Sequence, residues 1–286
     1  MSISLRGKTI VITGCSTGFG RQTALHLAQQ GCHVFATVRH ESDQANLLAE
    51  ATQRSCQQHI APVICDITQP AQVAELARTV SSATPRLDAL LNNAGTAFAA
   101  PLELLSLDDF RAQLEINVVA HLGVIQALLP LLKPARGTII NVSSVNGRIA
   151  LPIVGAYSAS KFALEALSDA LRVELAPFGV QVVVIEPSSS PTTIWQTSGQ
   201  RASAKLDEHR SGPYARLLSV FEKIATRLGS TGFPPQLFAD TVDTILTARR
   251  PRSRYVIPAS ARREILLRTL LPDRLWDRQV RRTLKW

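Results

Sequence analysis

Tyr157 and Lys161 stand four residues apart in AYSASKFALEAL, and Ser144 precedes the tyrosine in INVSSVNG. Residues four apart share one face of a helix, so the lysine ammonium can lie beside the phenol. A phenol ordinarily titrates near about 10, too high for proton exchange at neutral pH. A neighbouring cation draws that value down. Such a trio can pass a proton to or from a carbonyl or hydroxyl oxygen, the task of general acid–base catalysis, while a nicotinamide carries the hydride. A lone Tyr-x-x-x-Lys pair also fits an ordinary amphipathic helix. It gains meaning only beside a nucleotide-binding segment at a suitable distance.

That segment is KTIVITGCSTGFGRQTALHLAQQG. A β-branched run from Thr9 to Thr13 gives way to helical periodicity, with Ala24, Leu25, Leu27 and Ala28 inward and Gly31 placed to end the helix. Gly14, Gly18 and Gly20 lie between strand and helix. Glycines there permit a tight turn, let backbone N–H groups approach a pyrophosphate, and allow close helix–strand packing. The helix N-terminus adds partial positive charge towards phosphate.

With these residues in view, the chain from about Lys8 to Ile194 resembles the short-chain dehydrogenase/reductase family, nearest the hydroxysteroid and retinol dehydrogenase branch. The pattern T-G-x-x-x-G-x-G is matched by Thr13 to Gly20, and N-N-A-G by Asn92-Asn93-Ala94-Gly95. The family's helical asparagine corresponds to Asn117, its serine to Ser144, and its acidic residue after the third strand to Asp66. The resemblance implies a role for each. Tyr157 exchanges the proton, Lys161 lowers its proton affinity and bonds the nicotinamide ribose, and Ser144 bonds the substrate oxygen. Asn117 holds a water that resupplies protons, although a polar residue bonding the backbone of a kinked helix is an equal reading. Cofactor contacts are expected from Gly14, Ser16, Gly18, Phe19, Gly20, Arg39, Asp66, Ile67, Asn93, Ala94, Gly95, Tyr157, Lys161, Pro187 and Thr192.

One departure stands out. VVVIEPSSSPTTIW has Ser188 where the family continues with Pro-Gly. If that position takes a positive φ, the serine is strained by roughly 1–2 kcal/mol; a shifted loop is the expectation. At the end of the second strand, Val38 and Arg39 stand where an acidic residue would hold a ribose 2′-hydroxyl. NADP(H) is therefore expected, with NAD(H) left open by nearby Glu41. Leu151 to Val154 form an apolar stretch just before Tyr157 that suits a lipophilic secondary alcohol or its ketone or aldehyde. Structural packing is an equal reading of that stretch. A dinucleotide-sensing protein on the same fold is the rival to an enzyme.

The elements that position these residues alternate. Strands are expected at about 8–13, 33–38, 62–65, 88–92, 137–142, 181–186 and 254–257, and helices at about 18–30, 41–56, 70–83, 107–132, 157–176, 213–228 and 235–249. Strict β–α alternation implies a doubly wound, Rossmann-type parallel sheet with helices on both faces. Residues 1–258 read as one catalytic domain and 259–286 as a basic helical extension. The stretch from Pro187 to Pro213 follows a strand's carboxyl end, as a substrate lid would. The four cysteines show no metal-like spacing and are expected to be buried thiols. No signal peptide is read. VVAHLGVIQALLPLL falls short of the roughly 20 residues of a membrane span, so the expectation is a cytoplasmic protein.

Charge is uneven. Residues 249–286 hold 12 basic and 3 acidic side chains, which accounts for the whole formal net charge of +9. In the tail, Trp276, Val280 and Leu284 recur every four residues among arginines. Such a helix can lie on an anionic membrane or pack its stripe on the domain or a neighbouring subunit. No nucleic-acid-binding module is recognisable. The family resemblance implies a homodimer or homotetramer formed through the two long helices.

Overall fold

The computed structural model describes residues 4–191, Ser198 and residues 211–286. Thr192 and most of the expected lid lie outside the described residues. Seven strands form one sheet: β1 (Thr9–Ile12), β2 (His33–Val38), β3 (Ile60–Ile64), β4 (Ala89–Asn92), β5 (Thr138–Val142), β6 (Gln181–Pro187) and β7 (Arg254–Ile257). Their order is β3-β2-β1-β4-β5-β6-β7, with every neighbouring pair parallel. The chain leaves β1 in one direction and returns beyond it at β4. Their carboxyl ends therefore flank the switch point where open α/β sheets bind ligands.

Alternation along β1 sends Ile10 and Ile12 to one face and Val11 to the other. The first face is covered by α1 (Gly18–Gln29), α2 (Glu41–Gln53) and α8 (Pro235–Thr247), the second by α3 (Pro70–Ala83), α5 (Ala120–Ala135) and α6 (Gly155–Glu174). Helix α1 ends as expected: Gly31 takes φ 83°, and Cys32 N–H reaches back to Leu27 O at 3.1 Å. This is a Schellman closure that a residue with a Cβ would strain. All four cysteines are free and buried, and burial pushes the Cys32 thiol up to about 12 and Cys65 to about 11.

Three boundaries differ from expectation for physical reasons. Strand β3 runs back through Pro62 because it is an edge strand paired only with β2, where a missing N–H is tolerated. Helix α2 stops at Gln53 because Ser55 turns left-handed at φ 55°. The long fourth helix is interrupted. After α4 (Leu107–Leu114), residues Glu115–Val119 form a π-turn before α5 resumes. By length and composition alone, Leu107–Ala135 could cross a membrane. One stripe of it, including Val124, Ile125, Leu128 and Leu132, is fully buried in the core.

The chain ends in α7 (Ala215–Thr231), α8, β7, α9 (Arg262–Leu270) and α10 (Asp273–Leu284).

Candidate active site

The glycine-rich turn is locked to β4 by side-chain oxygens. Thr13 Oγ1 accepts the N–H groups of Asn93 at 2.9 Å and Ala94 at 3.0 Å. Asn93 Nδ2 donates back to the carbonyls of Thr13 at 2.9 Å and Gly14 at 3.1 Å. Thr37 Oγ1 accepts the Gly14 N–H at 3.1 Å. Gly14 takes φ 70°, and a Cβ on it would meet Ala94 Cα at 2.8 Å. A Cβ on Gly20 would overlap the Gly14 carbonyl oxygen at 2.3 Å. Only glycine lets these two backbones meet. The first turn of α1 carries no acidic side chain, so its positive end remains open to an anion.

These residues fit a nicotinamide dinucleotide. Gly14, Ser16, Gly18, Phe19, Arg39, Asp66, Ile67, Asn93, Ala94 and Gly95 all line one cavity of about 1140 Å³. Gly20 acts through its close packing. The Phe19 ring stacks on Phe238 at 4.3 Å and Phe233 at 5.6 Å. Asp66 secures its own turn, accepting from Thr68 N at 3.0 Å and Thr68 Oγ1 at 2.8 Å. Arg39 is exposed at the rim. Pro187 and Ser188 also line the cavity.

The same cavity is walled by Ser144, Tyr157 and Lys161. The Ser144 hydroxyl lies beside the phenol and works against the rise in its pKa; it donates to Pro187 O at 3.3 Å and accepts from Asn146 N at 3.1 Å. Lys161 Nζ donates to Val142 O at 2.8 Å and stands 5.7 Å from the Tyr157 ring centroid. Lys161 is not among the groups that shift the phenol here. Burial prevails, pushing Tyr157 up to about 12 and Lys161 down to about 8, with Glu165 one turn along α6 opposing the latter. Desolvation penalises both charged forms here, and the lysine points at a carbonyl rather than at the hydroxyl.

Asn117 sits in the π-turn, fully buried. Its Oδ1 accepts Thr96 N–H at 3.0 Å, and its Nδ2 donates to Thr96 O and Ser160 Oγ, each at 3.0 Å. Ser160 in turn donates to Tyr157 O at 2.7 Å. The side chain thus clamps the segment after Gly95 and ties it to the tyrosine's helix. Gln113, which sequence reasoning missed, makes the same clamp one turn earlier, bonding Phe98 N and Thr96 O at 2.8 Å each. Its signal was the spacing Gln113-x-x-x-Asn117 on one helix face.

Also missed were His121 and a buried ion cluster. His121 Nε2 lies 2.6 Å from Ala94 O. Burial, then the Lys161 charge, hold its pKa down to about 3. Glu165 and Glu186 are buried, and Arg254 bonds Glu165 at 3.0 Å and Asp169 at 2.6 Å, with Glu186 at 3.4 Å.

Ser143 lines the same cavity. Its Oγ is buried without a hydrogen-bond partner. Ser188 does not take a positive φ. Among described non-glycine residues only Ser55, Arg136, Ile153 and Lys285 do. Its N–H instead extends the β6–β7 pairing to Ile257 O at 2.7 Å, so the feared strain is absent.

The family model for short chain dehydrogenase matches residues 8–203. The chain belongs to the short-chain dehydrogenase family. Retinol dehydrogenase 5 of Mus musculus is 37% identical over 279 residues, covering 94% of this chain and 86% of that protein. An NADPH-dependent 3-dehydrocapnine reductase of Ornithobacterium rhinotracheale is 30% identical, covering 96% of each chain. A short chain dehydrogenase/reductase from Burkholderia phymatum, solved in complex with NAD, superposes with a TM-score of 0.79 at 24% identity, over 93% of this chain and 94% of that one. This short-chain dehydrogenase lies in the retinol and hydroxysteroid dehydrogenase-like branch and is an oxidoreductase acting on CH–OH donors with a nicotinamide dinucleotide.

Proposed function

We propose that the chain interconverts a lipophilic secondary alcohol and its ketone, or the corresponding aldehyde, using NADP(H) in preference to NAD(H). The observation that carries this reading is the Tyr157–Ser144 hydroxyl pair on the wall of the cavity that the glycine-rich turn also lines. Bound nicotinamide supplies the hydride. Tyr157 exchanges a proton with the substrate oxygen, and Ser144 bonds that oxygen where negative charge develops. Lys161 supplies positive charge and ribose contacts. Asn117 positions Tyr157 through Ser160.

Cofactor preference follows from the rim. Arg39 lines the cavity, whereas Glu41 opens α2 outside the lining, and a guanidinium suits a 2′-phosphate. The 3-dehydrocapnine reductase, NADPH-dependent by name, is consistent with this choice. Val154 packs beside Tyr157 with Phe221 from α7, an apolar wall at the reacting carbon. A family of retinol dehydrogenases among the relatives accords with a lipophilic substrate.

Residues 1–258 form the catalytic domain in this reading, and 259–286 are its appendage. Val119, Phe162 and Val173 are exposed on the two long helices, a face suited to a homodimer or homotetramer. The tail's exposed Leu266 and Leu270, among arginines, favour contact between a cytoplasmic enzyme and an anionic membrane surface.

The decisive experiment follows NADPH and NADH consumption with a panel of ketones and aldehydes, for wild type and Arg39→Ala. Turnover of lipophilic carbonyls with an NADPH preference that collapses in Arg39→Ala supports the proposal. No turnover with any carbonyl, or a preference indifferent to Arg39, refutes it. Flotation on anionic liposomes, against a truncation at Pro258, tests the tail.

A further inference from the structure

The cavity of about 1140 Å³ is lined by the dinucleotide-binding residues and by Ser144 and Tyr157, and one end of it is lined by the chain's own last helix. Trp276, Val280 and Leu284 of α10 line it, with Leu267 of α9. Those three are the half-buried positions of α10; its other residues are exposed. The amphipathic stripe is therefore turned onto the cavity, and the arginines face away.

The stripe is joined to the reacting centre by a continuous apolar path. Leu284 packs among Ile153, Leu217 and Leu218. One turn along α7, Phe221 packs against Val154 and Tyr157. A ring contact ties the tail to α7, Trp286 stacking on Tyr214 just before it with centroids 5.8 Å apart, and within the tail the Arg268 guanidinium lies 5.7 Å from the Trp276 ring. The backbone turns sharply here. Ile153 takes φ 70°, a region unfavourable for a β-branched residue, and is pinned by the Ala100 N–H to its carbonyl at 2.9 Å.

We propose that α10 is the outer wall of the substrate pocket, and that Trp276, Val280 and Leu284 select substrates whose apolar chain extends from the oxygen held at Tyr157 as far as this helix. The inference rests on the function proposed above. Apolar affinity grows with the area removed from water. A long-chain ketone reaches α10 and is held by it, and a short one does not. The tail thus sets substrate length rather than the chemistry.

The test uses the full-length enzyme with NADPH and a homologous series of straight-chain methyl ketones, reading the ratio of kcat/KM for long over short members. Val280→Trp, which fills the outer end, lowers that ratio by about tenfold, equivalent to roughly 1.4 kcal/mol. Trp276→Ala shifts the optimum towards longer or bulkier chains. Arg281→Ala, on the outward face, leaves the ratio at its wild-type value. Thermal unfolding and dinucleotide titration of each variant establish that folding and cofactor binding persist. An unchanged ratio in both Val280→Trp and Trp276→Ala overturns the inference. Failure of wild type to reduce any ketone instead defeats the functional reading beneath it.

Discussion

Replacing Thr13 by valine keeps the shape of a fully buried side chain and removes one oxygen. That oxygen accepts two backbone N–H groups, from Asn93 and Ala94. A buried donor left unpaired costs about 1–3 kcal/mol, so two give a ceiling of about 2–6 kcal/mol. Both N–H groups stand near the cavity, where water can reach them, which brings the expectation to about 2–3 kcal/mol. Thr37→Val is the internal control. Among the described residues its hydroxyl accepts one backbone N–H, that of Gly14, so about half the loss is expected. Urea unfolding of both variants, with an unchanged denaturant slope, measures these values directly. The Thr13 variant also loosens the turn that must meet the pyrophosphate, and dinucleotide affinity falls by about tenfold or more. A Thr13→Val loss under about 0.5 kcal/mol, or one no larger than that of Thr37→Val, refutes the reasoning.

Three further outcomes follow from the buried polar groups. His121 titrates near about 3 in the fold against about 6.5 when unfolded, so the unfolded chain binds the extra proton first. Stability therefore falls as pH drops from about 6.5 towards 3, and His121→Gln should flatten that acid limb in denaturation curves. Ser143→Ala removes a buried hydroxyl with no partner and should leave stability and kcat nearly unchanged, whereas Ser144→Ala should lower kcat by about a hundredfold. Arg254→Met strips the shared cation from Glu165, Asp169 and Glu186. With that arginine one-quarter exposed, a loss of about 2–3 kcal/mol is expected, below the 3–5 of a fully buried pair.

Much of the scaffold was legible because the central parallel strands are buried on both faces and read as β-branched runs. Thr9–Ile12 and Val182–Ile185 are examples. The glycine turn was legible because positive φ and backbone overlap leave glycine little competition. The π-turn at Glu115–Val119 was not, since helical periodicity barely registers one extra residue in a turn. Gln113 escaped notice because its partners, Thr96 and Phe98, are backbone groups distant in sequence. The ion cluster unites β6, β7 and α6, and only tertiary packing brings them together. The tail's stripe was visible, but which surface it covers depended on where α7 and Phe221 lie. Ser188 was judged against the family's glycine, and the actual backbone never enters the left-handed region.

The central claim is that the Tyr157 hydroxyl exchanges the proton while hydride crosses from the dinucleotide. Tyr157→Phe deletes that one oxygen from a buried ring beside Ser144. Single-turnover reduction with bound NADPH should disappear, with dinucleotide affinity and thermal unfolding retained. A phenylalanine variant that keeps most of the wild-type rate would contradict the account.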